Sequence, residues 1–172
     1  AFVDTEVPLP CGQSMLAPKV EARLLQELGV QRHERVLEVG AGSGHMAALL
    51  AHRAQHVTTL ELRPELARLA SENLRRAWIM NATVLEADAS RTVPDDGPYD
   101  VIVLSGSVAE VPRTLLAQLK PGGRLTAIVG QPPVMRAVLL TRSGDPGFST
   151  IELFDTIAPR LDGFGEPSRF VF

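Results

Sequence analysis

The hydrophobic positions follow two different periods along this chain. Val20, Leu24, Leu25 and Leu28 recur at helical spacing, with Lys19, Arg23, Gln26 and Glu27 on the other side, which predicts an amphipathic helix over residues 18–28. Pro18 suits its first turn and Gly29 its stop. Short apolar runs rich in β-branched residues predict strands over 35–39, 56–62, 82–87, 100–105 and 124–129. The 100–105 run, Asp-Val-Ile-Val-Leu-Ser, is nearly continuous, as a strand buried on both faces requires. Helices fit between them over 45–52, 64–77 and 113–119. In the second, Leu66, Leu69, Ala70 and Ala77 face inward, and Arg68, Glu72, Arg75 and Arg76 form a solvated face. The Lys-Pro-Gly-Gly run at 120–123 predicts a turn.

After Val129 the alternation of strand and helix stops. Residues 134–142 and 150–157 both read as strands around the Ser-Gly-Asp-Pro-Gly loop at 143–147, which predicts an antiparallel hairpin on one edge of the sheet. Residues 164–172 end in Arg-Phe-Val-Phe and suggest a last edge strand. The whole pattern is α/β: a Rossmann-like, mostly parallel, doubly wound sheet with an antiparallel C-terminal edge and right-handed crossovers. It is expected to form a single domain over 1–172, with 1–17 as an irregular loop or lid and 18–172 as the core.

The strand at 35–39 ends in Gly40-Ala41-Gly42-Ser43-Gly44, followed by the helix former His45-Met-Ala-Ala-Leu-Leu-Ala-His52. Strand, glycine turn and helix form the entry to a nucleotide-type site. A dinucleotide fingerprint would place its third glycine at position 45. Here it comes one residue early, which disfavours a nicotinamide dehydrogenase. The bland alternative is a turn that merely lets the helix pack on the strand. In a doubly wound sheet the site lies at the C-terminal strand ends, and here these carry Glu38, Glu61 followed by Leu62, Asp88 with Ala89, and Ser105. A carboxylate at Glu61 can accept both hydroxyls of a ribose. Taken singly, Glu61 could instead favour the start of the next helix, and Asp88 could be a turn residue.

Composition narrows the function classes. Hydrophobic content of 45% with 22% charge suits a soluble globular chain, and a net charge of −3 disfavours a nucleic-acid partner. The lone Cys11 excludes an internal disulfide and fits a reducing, cytoplasmic setting. No apolar run approaches the roughly 18 residues of a membrane span, and no signal-peptide pattern opens the sequence. The chain begins at Ala1 rather than Met, consistent with a preceding segment. No metal is expected.

The loop with Glu38 two residues before its first glycine resembles the first motif of class I S-adenosylmethionine methyltransferases. Across nearly its whole length the chain resembles the protein-L-isoaspartate O-methyltransferase family. The resemblance rests on Pro8-Leu-Pro10, Gly12-Gln13 with Ala17-Pro18, residues 36–44, Glu61, Asp100 through Val111-Pro112, residues 119–125 and Arg169-Phe-Val171. It implies methyl transfer from S-adenosyl-L-methionine to isoaspartyl carboxylates of damaged proteins, with S-adenosyl-L-homocysteine as product. It also implies that Glu38, Gly40, Gly42 and Gly44 hold the methionine part, Glu61 the ribose, and Asp88 and Ala89 the adenine, with Ala41, Ser43, Leu62 and Ser105 also among the cofactor-binding residues. Because an ionised carboxylate is already a nucleophile, no general base is needed, and His33, His45, His52 and His56 need no catalytic role; His45, next to the loop, could line the pocket.

Gln13, Ser14 and Leu16 would cover the methyl group. Here the sequence departs from the family, in which Gly-Gln is followed by Thr-Ile-Ser and that Ser hydroxyl lies at the reacting centre. Leu16 occupies the Ser position and Ser14 the Thr position. Ser14 would either supply a hydroxyl by a local shift or merely cap the helix from Pro18. Leu16 leaves open a different, small-molecule acceptor, or a non-catalytic cofactor-binding homologue.

Overall fold

The computed structural model describes residues 4–144 and 147–165. Seven strands form one sheet in the order β3-β2-β1-β4-β5-β6-β7. The strands are β1 (Arg35–Val39), β2 (His56–Glu61), β3 (Ala82–Glu86), β4 (Tyr99–Val108), β5 (Leu119–Gln131), β6 (Val134–Arg142) and β7 (Phe148–Asp155). Pairings from β3 through β5 are parallel, and β5-β6-β7 is antiparallel. The order reverses at β1, so β1 and β4 flank the switch point where ligands bind in open α/β sheets.

Helices α1 (Pro18–Leu28), α2 (His45–Ala51) and α3 (Pro64–Arg76) lie where the periodicity places them. Gly29 closes α1 in the left-handed conformation, as its position suggested. Alternate residues of the parallel strands feed two cores. Val36, Val57, Val101 and Val103 pack with Leu24, Leu28, Met46 and Leu50 on one face. Leu37, Leu60, Ile102 and Leu104 pack with Tyr99, Leu115 and Leu119 on the other. Among the described residues, the helix on the second face is the four-residue α4 (Arg113–Leu116), accompanied by irregular chain.

Three local expectations are corrected. Ala77 is exposed just past α3, and Ala67 and Leu74 complete the inner face instead. The helix at 113 stops at Leu116, and Leu119 already pairs with Tyr99. The Lys-Pro-Gly-Gly run is a bulge inside β5 and not a turn between elements. Pairing jumps from Tyr99↔Leu119 to Val101↔Arg124, so Asp100 alone stands opposite residues 120–123. The bulge is held by Lys120 Nζ donating to Asp100 Oδ2 at 2.8 Å, and Gly122 has φ +77°. Burial alone would raise the Asp100 pKa, but the Arg35 N–H and the Lys120 ammonium outweigh it, so the group is held below its ordinary value. Most of the suggested strand over 164–172 lies outside the described residues; Phe164 and Gly165 are not in a strand.

β4 departs from β5 a second time, between Val103 and Ser107. Beside this gap runs the segment from Ala158 to Leu161. Ser107 N–H donates to Pro159 O at 2.7 Å and Leu161 N–H to Ser107 O at 2.9 Å. This strap carries Arg160, Leu161 and Asp162 across the C-terminal strand ends.

Candidate active site

The ends of β1, β2, β3 and β4 surround a cleft of about 570 Å³ that is open to solvent. Gln13, Ser14, Gly40, Gly42, Glu61, Leu62, Asp88, Ala89 and Ser105 all line it. A smaller recess of about 270 Å³ adjoins it and shares Ser14, Gly40, Gly42 and Ser105 with it. Leu16, Glu38, Ala41, Ser43 and His45 line this recess. Gly44 lines neither. Its positive φ of 81° starts α2, and a Cβ there would lie 3.1 Å from Ala70 O, so Gly44 lets α2 approach α3.

The glycine loop is tied to β2. The N–H groups of Gly40 and Ala41 both donate to Leu60 O, at 2.9 and 3.1 Å. Gly40 has φ +92°, and a Cβ there would sit 2.8 Å from Leu161 Cδ2. Gly42 N–H donates to Glu61 Oε2 at 3.0 Å, and Arg63 N–H donates to Oε1 at 3.0 Å. A carboxylate offers about four lone-pair sites, so Glu61 is fixed in place and still keeps acceptor capacity toward the cleft. Asp88 Oδ1 accepts from Ser90 N–H at 3.0 Å and Ser90 Oγ at 2.6 Å, which holds the β3 end as an Asx turn. Arg63 forms an ion pair with Asp162, joining the β2 end to the strap.

Glu38 is fully buried. Thr59 Oγ1 donates to its Oε2 at 2.6 Å, and Ser105 Oγ donates to its Oε1 at 2.7 Å. Burial pushes its pKa up from 4.5 to about 7; the two hydroxyls pull it down, and the Glu21 and Glu61 carboxylates push it further up. The sequence reading missed Glu21, which is 4% exposed on α1. His45 Nδ1 donates to Glu21 Oε2 at 2.7 Å. That bond raises the His45 pKa above 6.5 against the opposing effect of burial. The available signal was spacing: Glu21 stands three before Leu24 and four before Leu25, inside the apolar stripe.

The N-terminal segment covers the recess. Met15 N–H donates to Val7 O at 2.9 Å, and Ser43 Oγ donates to Met15 Sδ at 3.3 Å. Ser14 Oγ donates to Glu6 Oε2 at 2.9 Å, so it does not cap α1. That helix has Ala17 as its cap residue, and Asp4 Oδ1 accepts from Lys19 N–H at 2.9 Å. Leu16 is 3% exposed and belongs to the core cluster as well as the recess wall. Among the described residues no cluster of His, Cys, Asp and Glu could hold a metal ion.

The family model for protein-L-isoaspartate (D-aspartate) O-methyltransferase matches residues 1–156. The chain belongs to this family. By that membership it is an S-adenosylmethionine-dependent methyltransferase with the class I fold. It is 36% identical over 167 residues to the protein-L-isoaspartate O-methyltransferase of Ruegeria pomeroyi, covering 96% of this chain and 78% of that one. With the Methanoculleus marisnigri enzyme of the same name it shares 41% identity over 130 residues, 76% of this chain and 59% of that one. A solved protein-L-isoaspartate O-methyltransferase superposes with a TM-score of 0.80 at 28% identity, over 87% of this chain; the match spans 49% of that solved chain. The fold also matches, with a TM-score of 0.80 at 23% identity over 94% of this chain and 81% of the other, a Plasmodium falciparum protein of that family solved with S-adenosyl-L-homocysteine.

Proposed function

We propose that this methyltransferase acts on isoaspartyl carboxylates of proteins or peptides, with the roles of its residues set by the cleft. The observation that carries the reading is the placement of Glu38, Glu61 and Asp88 at the ends of β1, β2 and β3 around one continuous pair of cavities. The residues fit S-adenosyl-L-methionine on grounds of this structure. The fully buried Glu38 offers negative charge to a cationic group. Glu61 keeps lone pairs for a ribose, and Asp88 with Ala89, Leu62 and Phe164 offers one polar acceptor and apolar walls for a base. Gly40, Ala41, Gly42 and Ser43 hold the methionine part, and Gly44 sets the direction of α2 behind them.

When bound, that cofactor supplies a methyl group on positively charged sulfur. The chain's own residues align and shield. Gln13 and Ser14 form the acceptor-side wall, Ser105 orients Glu38, and Leu16 behind them excludes water. The carboxylate acceptor needs no base from the protein.

One observation favours a second reading, a small-molecule acceptor. Leu16 offers no donor, and the Ser14 hydroxyl is turned toward Glu6. We place the protein in the cytoplasm on its exposed free thiol, Cys11. Among the described residues no helix is long and apolar enough to cross a membrane.

The test is calorimetry followed by turnover. S-adenosyl-L-homocysteine should bind and NAD should not. Labelled methyl should then pass to an isoaspartyl peptide and not to its normal aspartyl counterpart. Cofactor binding without transfer to the isoaspartyl peptide would sink the acceptor assignment, and absence of cofactor binding would sink the whole reading.

A further inference from the structure

The segment that crosses the cleft contains one of the two Asp-Gly pairs of the sequence, Asp162-Gly163; the other is Asp96-Gly97. An aspartate followed by glycine has a reaction open to few other pairs. The glycine nitrogen can attack the aspartyl Cγ, because no Cβ on the glycine shields that nitrogen. A five-membered succinimide forms, and one water leaves with a carboxyl oxygen. Water then reopens the ring. Attack at Cγ restores aspartate. Attack at the former peptide carbonyl gives isoaspartate, with the chain running through Cβ and Cγ. The water lost is the water regained, so no other reagent is needed.

The two pairs are held very differently. Asp96 accepts from Arg35, Thr58 and Tyr99, so three side chains fix its carboxylate. Asp162 has a single side-chain partner among the described residues, Arg63. Exposure does not separate them, since the Asp162 side chain is 42% exposed and that of Asp96 38%. Neither glycine N–H has an acceptor among the described residues, so both nucleophiles are free and the hold on the carboxylate decides.

We infer that Asp162 is a site of spontaneous isomerisation to isoaspartate, restrained by Arg63. Before Cγ can be attacked, the carboxylate must leave the guanidinium and take up a proton, so the ion pair opposes the reaction. Isomerisation adds a methylene to the backbone and moves the free carboxylate onto Cα. That removes the Arg63 pair and displaces Gly163, which lies so close to the β3 end that a Cβ there would sit 2.9 Å from Asp88 Oδ1. Arg63, Asp88 and Asp162 all line the cleft, so the modified strap no longer closes it. The effect on cofactor affinity rests on the proposed function; the isomerisation itself does not.

The experiment incubates the full chain at pH 7 and about 37 °C and maps its peptides by electron-transfer fragmentation. This method tells isoaspartate from aspartate by cleaving the Cα–Cβ bond that has entered the backbone. Isoaspartate should accumulate at 162 and not at 96. In Arg63→Ala the rate at 162 should rise about two- to fivefold, the scale of a partly exposed ion pair, with 96 unmoved. Asp162→Glu keeps a carboxylate for Arg63 but would need a six-membered ring, so it should stay intact. S-adenosyl-L-homocysteine affinity, read by calorimetry, should fall with the isomerised fraction in wild type and hold in incubated Asp162→Glu. Equal rates at 96 and 162, or no isoaspartate at 162 in folded protein while urea-unfolded chain forms it, overturn the site. An unchanged rate in Arg63→Ala overturns the restraint. The same loss of affinity in incubated Asp162→Glu overturns the link to the cleft. If fresh wild type binds no S-adenosyl-L-homocysteine, the proposed function and that link have both failed, and the peptide map alone decides the isomerisation.

Discussion

Replacing Glu38 by glutamine should make the ligand-free protein more stable at neutral pH while weakening its hold on cofactor. Glu38 is 0% exposed, and its pKa rises from 4.5 to about 7, chiefly through burial. A carboxyl with a raised pKa binds more protons in the folded than in the unfolded state between those two values. Its contribution to stability is therefore fully present below pH 4.5 and is lost as pH rises through about 7. At about 1.4 kcal/mol per pKa unit, the penalty above pH 7 is roughly 3 kcal/mol. Glutamine carries no charge, and the Thr59 and Ser105 hydroxyls can turn to satisfy its amide. Urea unfolding at pH 5, 6, 7 and 8 should show wild type and Glu38→Gln nearly equal at pH 5. The variant should be ahead by about 2–3 kcal/mol at pH 8. Comparing the two proteins at each pH cancels the other carboxylates. The same variant should bind S-adenosyl-L-homocysteine at least about tenfold more weakly, having lost a charge-assisted bond. A stability difference that stays flat from pH 5 to 8 would refute the argument, because the buried carboxylate would then carry no unfavourable charge.

Two further outcomes test other contacts of the fold. Arg124 on β5 donates from both Nη atoms to Glu34 at 2.8 and 2.9 Å and from Nε to Leu28 O at 2.5 Å. Arg124→Ala should cost about 3 kcal/mol in urea unfolding at pH 7 without changing cofactor affinity. Burial alone would raise the Glu34 pKa, but Arg124 and the Gln31 N–H outweigh it and depress the group. The stability they provide is present above the unfolded pKa and lost as pH falls, so the gap to Arg124→Ala should narrow in acid. Leu16→Ser should lose about 2–4 kcal/mol, because it removes a core side chain and leaves a partly filled space. Its turnover on isoaspartyl peptide, corrected for folded fraction, should not rise; a rise would show that a hydroxyl at position 16 reaches the acceptor.

The parallel half of the sheet and the strand-end acids were legible because each has a local signature. A β-branched run cut off by glycines has few alternatives to strand and turn, and Glu38, Glu61 and Asp88 follow directly from where the runs end. Features decided by distant contacts were less legible. The Lys-Pro-Gly-Gly run has turn composition, yet pairing with β4 on both sides draws it into β5 as a bulge. The strap from Ala158 to Leu161 has no periodicity, since it is ordered by distant contacts: hydrogen bonds to Ser107 and Gly130, and the space that Gly40 and Gly106 leave for Leu161. The place of Gly44 in the glycine motif does not reveal its second requirement, the close packing against Ala70 and Leu74 that its left-handed φ accompanies. The direction of the Ser14 hydroxyl depends on Glu6, eight residues away, and no pattern in the sequence fixes that contact.

The site's electrostatics bear on why such a carboxylate persists at the end of β1. A buried acid next to two other carboxylates destabilises the ligand-free fold at the pH where the protein would work. Under the proposed function that cost would be recovered when a cation enters the recess, since its charge would compensate a group that the fold has already desolvated. The hydroxyls of Thr59 and Ser105 hold Glu38 in one orientation, so little reorganisation is needed at binding. An apolar or amide residue would stabilise the empty protein and remove the attraction. The same argument explains the neighbouring histidine. Glu21 without His45 would be a second buried acid lacking its 2.7 Å hydrogen bond.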